Sequence, residues 1–262
     1  MLNGRPLSLM ARNIVRPSNY LALSRAAFVY EKPLEAVGRY FLGRGHYPSS
    51  LVLRTPLGPQ PIRLFCSADS ITVHEIFCRK DYSFSKPPRM VVDLGSNIGI
   101  SALFFLTRSS STYCELYEPD PRNIEKLRTN LASFQGRFAL HENAVADRTG
   151  VLPFTRENTG RYGSLNPDPW VQRKGDMIEV RVEHVNTVLE RALVKADIID
   201  VLKIDTEGSE LATIRAIDPA LRRRIRHIVI EWHDHNVTID GFRTAARCDA
   251  VRLSNRRIAG NN

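Results

Sequence analysis

One segment that joins an apolar run to two glycines carries the most informative chemistry of the chain. It reads VVDLGSNIG and contains Asp93, Gly95, Ser96, Asn97 and Gly99. A buried strand, a glycine turn and a helix in this order are typical of nucleotide-binding folds, where glycine lets the backbone approach the ligand closely. The dinucleotide pattern G-x-G-x-x-G lacks its second glycine here. The Asp93 carboxylate would repel a pyrophosphate, and it favours a cationic ligand such as the sulfonium of S-adenosylmethionine.

A second acid, Glu118, ends the next apolar run, 23 residues after Gly95. An acid at this place in a nucleotide-binding fold accepts hydrogen bonds from the hydroxyls of a ribose. Asn143 and Ala144 end the third apolar run and would lie beside an adenine, whose amino edge a short amide can meet. The alternatives are that Glu118 only caps the following helix and that Asn143 only forms a turn.

A second acidic group lies in the segment IIDVLKIDTEGSE, residues 198–210. Asp205 and Glu207 follow an apolar strand, and the carboxyl ends of parallel strands are where ligands bind. A buried charge is costly unless it is paired, and Lys203 is the obvious partner. Asp205 or Glu207 could take a hydroxyl proton or hold a sugar diol, and His233 is a competing base. The alternative is a solvated salt-bridge network. No metal-ligand spacing is evident, and we expect no metal.

The elements that must position these residues begin at Met90, where strand-like and helix-like segments alternate. This pattern predicts an α/β fold with a mostly parallel, doubly wound sheet and helices on both faces. The predicted strands are MVVDL, STYCELYE, RFALHENAV, IIDVLKID and RIRHIVIEWHD.

The residues before Met90 predict two smaller parts. Residues 1–48 form an expected basic helical arm, broken at Pro6, Pro17 and Pro33, with an apolar helix face within residues 34–42. Residues 49–89 follow as a β-hairpin and a short helix over residues 71–82. Residues 90–262 are the predicted cofactor-binding domain.

The charge of the 262-residue chain is uneven. It has 37 Lys+Arg and 28 Asp+Glu, a net charge of +9. Residues 1–48 and 219–262 each carry +5, whereas the middle carries −1. The basic ends, including the run at residues 222–226, could meet phosphate or an anionic lipid surface. Aromatic residues are not interleaved with these arginines, which argues against a platform for single-stranded nucleic acid.

Hydropathy and cysteine usage indicate where the protein acts. The longest charge-free apolar run, residues 94–107, has 14 residues, and a membrane-spanning helix needs about 20. The first residues show no signal-peptide pattern. The four cysteines form no CxxC pair, which favours buried reduced thiols and a cytoplasmic location, with the basic ends available for peripheral membrane contact.

The chain resembles the FkbM-type family of S-adenosylmethionine-dependent methyltransferases. The matching segments cover roughly residues 50–235 and include VVDLGSNIGISALFF, YEPDPRNIEKLRTN, NAVADRTGVLPF, IIDVLKIDTEGSE and IVIEWH. The resemblance implies a class I methyltransferase, Rossmann-like fold, and commonly O-methylation of sugars or glycosylated natural products. By the same resemblance, Asp93, Gly95, Asn97 and Gly99 would hold the methionine end of the cofactor. Glu118 would hold its ribose, Asn143 and Ala144 would face adenine, and Asp205 and Glu207 would face the acceptor.

The expected function is therefore O-methylation of a hydroxyl on a sugar, polysaccharide, glycolipid or glycosylated metabolite. The net charge leaves a nucleic-acid methyltransferase as one alternative, although the neutral middle makes nucleic acid a poor partner. A second alternative is a non-catalytic protein whose basic arm docks on a membrane, an anionic carrier or an assembly. A nicotinamide oxidoreductase is disfavoured by the missing glycine.

Overall fold

The structure is a computed structural model that describes residues 17–43, 45–157, 159–166, 175–231, 237–247 and 250–258. His233 and Cys248 lie outside these residues. The chain divides into two compact units, Met1–Ser83 and Phe84–Asn262. The predicted arm and residues 49–83 of the predicted hairpin region therefore fall in the first unit, whereas residues 84–89 and the predicted cofactor-binding domain fall in the second.

The first unit combines helices with the predicted hairpin. Its elements are α1 (Pro17–Val29), α2 (Pro33–Leu42), β1 (Ser49–Thr55), β2 (Gly58–Leu64) and α3 (Ser67–Val73), which continues as π-helical turns over His74–Arg79. Strands β1 and β2 pair antiparallel, which confirms the hairpin. The two prolines begin helices instead of breaking them, because proline is compatible with the first helical turn.

The apolar face expected for α2 is wrong. Leu34 is 90% exposed and Leu42 is also exposed, whereas Ala36 is the buried residue of this helix. Helical spacing shows which residues share a face, but the tertiary partner decides which face is covered.

The second unit contains the predicted sheet. Seven of its described strands lie in the order β11-β12-β10-β9-β3-β4-β5. Strands β10, β9, β3, β4 and β5 run parallel to one another, whereas β12 pairs antiparallel with both β10 and β11 at one side of the sheet. The strands are β3 (Met90–Leu94), β4 (Tyr113–Tyr117), β5 (Phe138–His141), β9 (Ile199–Ile204), β10 (Ile225–Glu231), β11 (Phe242–Arg247) and β12 (Ala250–Asn255).

The helices of this unit cover both faces of the sheet. Val92, Leu94 and Leu202 belong to the core cluster that packs on α6 (Val185–Lys195), whereas Asp93, from the opposite face, accepts a hydrogen bond from Ser101 of α4 (Ile100–Leu106). This alternation confirms the doubly wound α/β architecture. The helices are α4 (Ile100–Leu106), α5 (Pro121–Asn130), α6 (Val185–Lys195), α7 (Glu210–Arg215) and α8 (Pro219–Arg222).

The third predicted strand is wrong in its length. The segment RFALHENAV divides into β5 of the main sheet and β6 (Ala144–Ala146) of a second sheet. In the second sheet β6 pairs parallel with β8 (Asp176–His184), which pairs antiparallel with β7 (Gly150–Arg156). The chain leaves the main sheet at Glu142 and Asn143, so the residues after them pair with strands that follow much later.

The order of the strands reverses beside β3. From β3 the chain proceeds to β4 and β5 on one side, and it returns to β9 and β10 on the other. Connections before and after such a point leave the sheet in opposite directions, which opens a crevice at the carboxyl ends of the strands. The residues after β3, β4 and β9 are therefore placed to form a site.

A substitution at Gly99 can show how tightly the glycine turn packs against Leu127 and Leu131. Gly99 has φ of +85°, and a Cβ there would lie 3.2 Å from Leu127 Cγ; Gly136 has φ of +79° with no atom within 4 Å. Left-handed strain costs about 1–2 kcal/mol, which is what we expect for Gly136→Ala. Gly99→Ala should lower the free energy of unfolding in urea by more, because Leu127 and Leu131 are crowded as well. Equal losses would contradict this packing argument.

Candidate functional site

A cleft opens at the carboxyl ends of β3, β4 and β9. It holds about 560 Å³ of empty space, counting its open mouth. Segments from the glycine turn, from the ends of β4 and β9, and from the stretch between β7 and β8 line it together. The lining residues are Gly95, Asn97, Tyr117, Glu118, Pro119, Asn123, Ala144, Val145, Phe154, Gly160, Arg161, Gly163, Leu165, Asp205, Thr206, Glu207 and Ser209.

The cleft brings together most of the residues chosen from the sequence. The predicted residues in its lining are Gly95, Asn97, Glu118, Ala144, Asp205 and Glu207. Asp93, Ser96, Gly99 and Asn143 lie behind the lining and support it. His233 lies outside the described residues, so its part in the site stays a prediction.

Asp93 is buried behind the cleft instead of facing it. Its side chain is fully buried, and Oδ1 accepts a hydrogen bond from Lys203 Nζ at 3.0 Å. Its Oδ2 accepts one from Ser101 Oγ at 2.6 Å. Both oxygens thus bind protein groups, and the charge of Asp93 acts on the cleft through Lys203.

Lys203 joins the two halves of the site. Its ammonium donates to the Gly95 carbonyl at 2.9 Å and lies 3.2 Å from Asp205 Oδ2, in addition to its bond with Asp93. Burial would lower the pKa of Lys203, but Asp205 and Asp93 outweigh it and hold that pKa above its ordinary value. One buried cation therefore holds the glycine turn and the end of β9 together.

The glycine turn allows two loops to meet. Gly95 has φ of +80°, and a Cβ on it would lie 1.9 Å from the carbonyl oxygen of Asp205. Ser96 closes the turn, because its Oγ donates to Asp93 O at 2.9 Å and accepts from Tyr117 N at 3.2 Å. Only a glycine can stand at position 95 without separating the β3 and β9 ends.

Glu118 is a buried carboxylate tied to the backbone. Its Oε2 accepts from Asn97 N at 2.8 Å, and its Oε1 accepts from Asp120 N at 3.0 Å and from Asn123 Nδ2 at 3.3 Å. Burial raises the pKa of Glu118 to about 7 in spite of these bonds. A carboxylate accepts about four hydrogen bonds, so room remains for one donor of a ligand.

Asn123 and the segment 159–166 belong to the site and were missed from the sequence. The carbonyl of Gly160 accepts hydrogen bonds from Asn97 Nδ2 at 3.1 Å and from Asn123 Nδ2 at 2.9 Å. Ser164 Oγ donates to the carbonyl of Glu207. The segment is thereby fixed to the glycine turn, to α5 and to the end of β9. Its sequence contains no motif, and only the tertiary contacts reveal its place.

Glu207 and Glu210 play different parts. The carboxylate of Glu210 accepts from Thr206 N at 2.9 Å and from Gly208 N at 2.9 Å, so it shapes the loop after β9. Glu207 lies on that loop with φ of +53°, an unusual conformation for a residue with a side chain. Burial, with repulsion from Asp205 and Glu210, raises the pKa of Glu207 to about 8. The loop thus presents a carboxyl group that can exchange a proton near neutral pH.

Asn143 supports the cleft from behind. Its Nδ2 donates to Ala144 O at 3.0 Å and to Glu183 Oε2 at 3.4 Å. Glu183 pairs with Arg191, and Arg191 Nη1 donates to the hydroxyl of Tyr117 at 3.0 Å. The amide predicted to contact an adenine is therefore bonded to protein groups, and it positions Ala144 and Tyr117 around the cleft.

The described residues show neither a cluster of metal ligands nor a membrane-spanning helix. They contain no group of three or more His, Cys, Asp or Glu side chains arranged to hold a metal ion. None of the helices that the structure describes combines the length and the apolar character that a membrane crossing requires. Cys66, Cys78 and Cys114 are free thiols, of which Cys78 and Cys114 are buried.

Comparison with known proteins decides the family. A family profile described as "Methyltransferase FkbM domain" matches residues 93–251, more than half of the chain and all three strand ends of the cleft. The chain belongs to this family. It is accordingly a methyltransferase with the class I fold, and S-adenosylmethionine is the cofactor of its class. The non-catalytic alternative is thereby excluded.

Individual proteins are related at low identity. The chain is 26% identical over 214 residues to the 31-O-demethyl-FK506 methyltransferase FkbM of Streptomyces tacrolimicus, covering 70% of this chain and 81% of that protein. It is 26% identical over 166 residues to the 2-O-methyltransferase NoeI of Sinorhizobium fredii, covering 58% and 66%. A crystal structure of a methyltransferase FkbM from Methylobacillus flagellatus KT aligns with a TM-score of 0.44 and 13% identity, covering 72% of this chain and 54% of that one.

The residues of the cleft fit S-adenosylmethionine. Asn123 Oδ1 is buried and has no hydrogen-bond partner among the described residues, and such an atom in a site indicates a polar ligand or water. Glu118 keeps an acceptor position at the end of β4, and the carboxyl groups of Asp205 and Glu207 lie in the lining of the cleft. These carboxyl groups accept hydrogen bonds and can carry negative charge, so they suit a ligand with hydroxyl groups and a positive charge.

Replacing Lys203 should test its structural role. Lys203→Met leaves Asp93 buried without a counter-charge, and breaking a buried ion pair in this way costs about 3–5 kcal/mol. We expect that loss in the free energy of unfolding in urea. In the double variant Asp93→Asn/Lys203→Met no charge is left unpaired at position 93, so the loss should be smaller than the sum of the two single losses. Strict additivity would show that the pair is not coupled.

Proposed function

We propose that this protein is an S-adenosylmethionine-dependent O-methyltransferase that acts on a hydroxyl of a sugar, polysaccharide, glycolipid or glycosylated metabolite. The observation that carries the proposal is the carboxyl group of Glu207, which lies in the cofactor cleft with its pKa raised to about 8. A base with a pKa near the working pH is suited to accept the proton of an alcohol.

The chemistry requires a proton acceptor beside the hydroxyl. When bound, S-adenosylmethionine supplies a methyl group, and its transfer to an alcohol oxygen leaves the hydroxyl proton to be removed. Glu207 accepts that proton on a carboxylate oxygen and later returns it to water. Because the loop after β9 is held by Glu210 and Ser164, the Glu207 carboxylate has a defined position.

Asp205 has a different role from Glu207. Its carboxylate lies 3.2 Å from the ammonium of Lys203, a cation that it shares with Asp93. Within the described residues, the Glu207 carboxyl group forms no hydrogen bond. Glu207 is therefore available to bind the hydroxyl group that receives the methyl group. We therefore assign proton transfer to Glu207 and the orientation of acceptor hydroxyls to Asp205, with His233 as the competing base.

The proposed contacts with the cofactor are assigned from the residues that line or support the cleft. Gly95 and Asn97, with Ser96 and Gly99 behind them, would hold the methionine end, near the charge of Asp93 and Lys203. Glu118 would accept one ribose hydroxyl at its remaining acceptor position. Ala144 would border the adenine, supported by Asn143. These roles rest on the family pattern and on the positions of the residues around one cleft.

The acceptor class is supported by two observations. The names of the relatives FkbM and NoeI describe transfer to oxygen atoms, at positions 31-O and 2-O. The end of the cleft near β9 presents Thr206, Ser209, Asp205 and Glu207, and such a set can bind several hydroxyl groups at once. The basic termini stay proposed contacts for an anionic carrier or a membrane surface.

Cofactor affinity should depend on pH through Glu118. Hydroxyl donors favour the ionised carboxylate, so the affinity for S-adenosylmethionine should fall by about tenfold per pH unit below about pH 7. Glu118→Gln should bind more weakly and lose this dependence, whereas Glu207→Gln should retain it. Calorimetric titration across this pH range provides the measurement. An unchanged pH profile in Glu118→Gln would remove Glu118 from the cofactor site.

Glu207→Gln should separate chemistry from binding. We expect kcat to fall by about 10²–10⁴, the usual contribution of general-base catalysis, while S-adenosylmethionine still binds. In the unaltered protein kcat/KM should rise with pH to a plateau above about 8, and in the variant this rise should be absent.

The assay is mass spectrometry of sugar and glycoside acceptors, in which one CH₂ is added per transfer. Glu142→Gln changes an exposed carboxylate that is not part of the cleft lining and is the matched control. Full turnover by Glu207→Gln would transfer the role of base to another residue. Cofactor binding without methylation of any hydroxyl acceptor would contradict O-methylation.

A further inference from the structure

The basic segments near the end of the chain converge on the sheet edge opposite the cofactor cleft. Arg224 O accepts from Ile199 N at 2.9 Å, which places the run 222–226 at the start of β9. Asn255 Nδ2 donates to Arg223 O at 3.3 Å and to Ile225 O at 3.0 Å, so Arg256 and Arg257 follow at the same edge. Two runs that are separate in the sequence thus form one basic edge at the amino ends of the parallel strands.

A second cleft opens at this edge. It holds about 1030 Å³ of empty space, counted in the same way as the cofactor cleft. It lies where β3, β9 and β10 begin, so the length of the strands separates it from the cofactor cleft. Its lining residues are Phe84, Ser85, Lys86, Pro87, Pro88, Arg89, Asp200, Val201, Arg226, His227 and Ile258.

Asp200, the carboxylate in this lining, already accepts hydrogen bonds from protein groups. Asp200 Oδ1 accepts from Arg226 Nε at 2.9 Å, and Oδ2 accepts from the backbone N–H groups of Arg89 at 2.7 Å and Met90 at 3.2 Å. Asp200 therefore orients Arg226 and fixes the start of β3. It forms no ion pair with Lys86 or with the side chain of Arg89 within the described residues.

Three cationic side chains line the cleft and keep free donors. Arg226 is held by Asp200 and by the carbonyl of Ile258, to which its Nη1 donates at 2.7 Å, and Nη2 forms no hydrogen bond within the described part of the chain. Lys86 and Arg89 are exposed, and their side chains have no hydrogen bond or ion pair among the described residues. The cleft consequently has a net positive charge and unused N–H groups.

The wall between these cations is aromatic and uncharged. The rings of Phe84 and His227 lie 4.9 Å apart. Burial, with repulsion from Arg252 and Arg226, lowers the pKa of His227 to about 4, so its ring is neutral near pH 7. Phe84 and His227, together with Pro87, Pro88 and Val201, form a surface on which the organic part of a ligand can pack.

We propose that this second cleft binds a phosphate-bearing ligand. Guanidinium and ammonium groups bind phosphate oxygens through strong charge-assisted hydrogen bonds, and Arg226, Arg89 and Lys86 supply them around one cavity. The volume of the cavity exceeds that of a lone phosphate, and its apolar wall suits a phosphoester with an organic group. The exposed arginines 223, 224, 256 and 257 extend the positive field and would attract the anion. This site is independent of the proposed acceptor.

The test measures binding to the full chain at constant ionic strength. The probes are inorganic phosphate, glycerol 3-phosphate, and phosphatidylcholine vesicles with and without phosphatidic acid. Lys86→Glu/Arg89→Glu should weaken binding by at least about tenfold, as expected for the loss of two charge-assisted contacts. Arg148→Glu/Arg181→Glu makes the same change of charge at exposed positions outside the cleft and should leave binding intact. S-adenosylmethionine affinity, unchanged in both variants, reports an intact fold.

The outcomes separate the sources of the phosphate. Binding of glycerol 3-phosphate that is lost in Lys86→Glu/Arg89→Glu supports a soluble phosphoester. Binding of the phosphatidic acid vesicles alone, lost in the same variant, supports a lipid headgroup. The proposal is overturned if no probe binds, if both double variants weaken binding equally, or if S-adenosylmethionine displaces the probe.

Discussion

The ammonium of Lys203 is the interaction on which the site depends. It joins residues that are 110 positions apart in the chain, and it lies between the carboxylates of Asp93 and Asp205 and the carbonyl of Gly95. A cation can be buried here only because these three groups replace its water. Conversely, the carboxylate of Asp93 could not remain charged in the core without it. The glycine turn and the proton-exchanging loop are therefore fixed relative to each other by one charge network.

Much of the fold could be predicted because the central strands are buried on both faces. Such strands appear as continuous apolar runs, and β3, β4, β9 and β10 were found from this signal. The segment RFALHENAV was misread because Ala144–Ala146 pairs with β8, about 40 residues later in the chain. Likewise, the wrong face of α2 was chosen because local spacing does not identify the packing partner. In both cases the missing information is a long-range contact.

The site shows the same division between local and long-range information. Gly95, Asn97, Glu118, Asp205 and Glu207 follow strand ends, so their common position could be inferred from the topology alone. The burial of Asp93 could not be inferred in this way, because it depends on hydrogen bonds from Lys203 and Ser101, which belong to other elements. Asn123 and Gly160 were missed because their role arises from hydrogen bonds between α5, the glycine turn and the segment 159–166.

The two ends of the sheet differ in charge, and this difference accounts for part of the uneven charge along the sequence. Carboxylates gather where β3, β4 and β9 end, and arginines gather where β9 and β10 begin. In a parallel sheet all strand ends of one kind meet at one edge, so residues at equivalent positions of several strands add their charges. The near-neutral middle of the sequence therefore contains an acidic edge, where the cleft with Glu118, Asp205 and Glu207 opens. Arg223, Arg224, Arg256 and Arg257 lie at the other edge, where their charge does not oppose the acids of the cleft, whereas Arg247 pairs with Ala250 beside the end of β10.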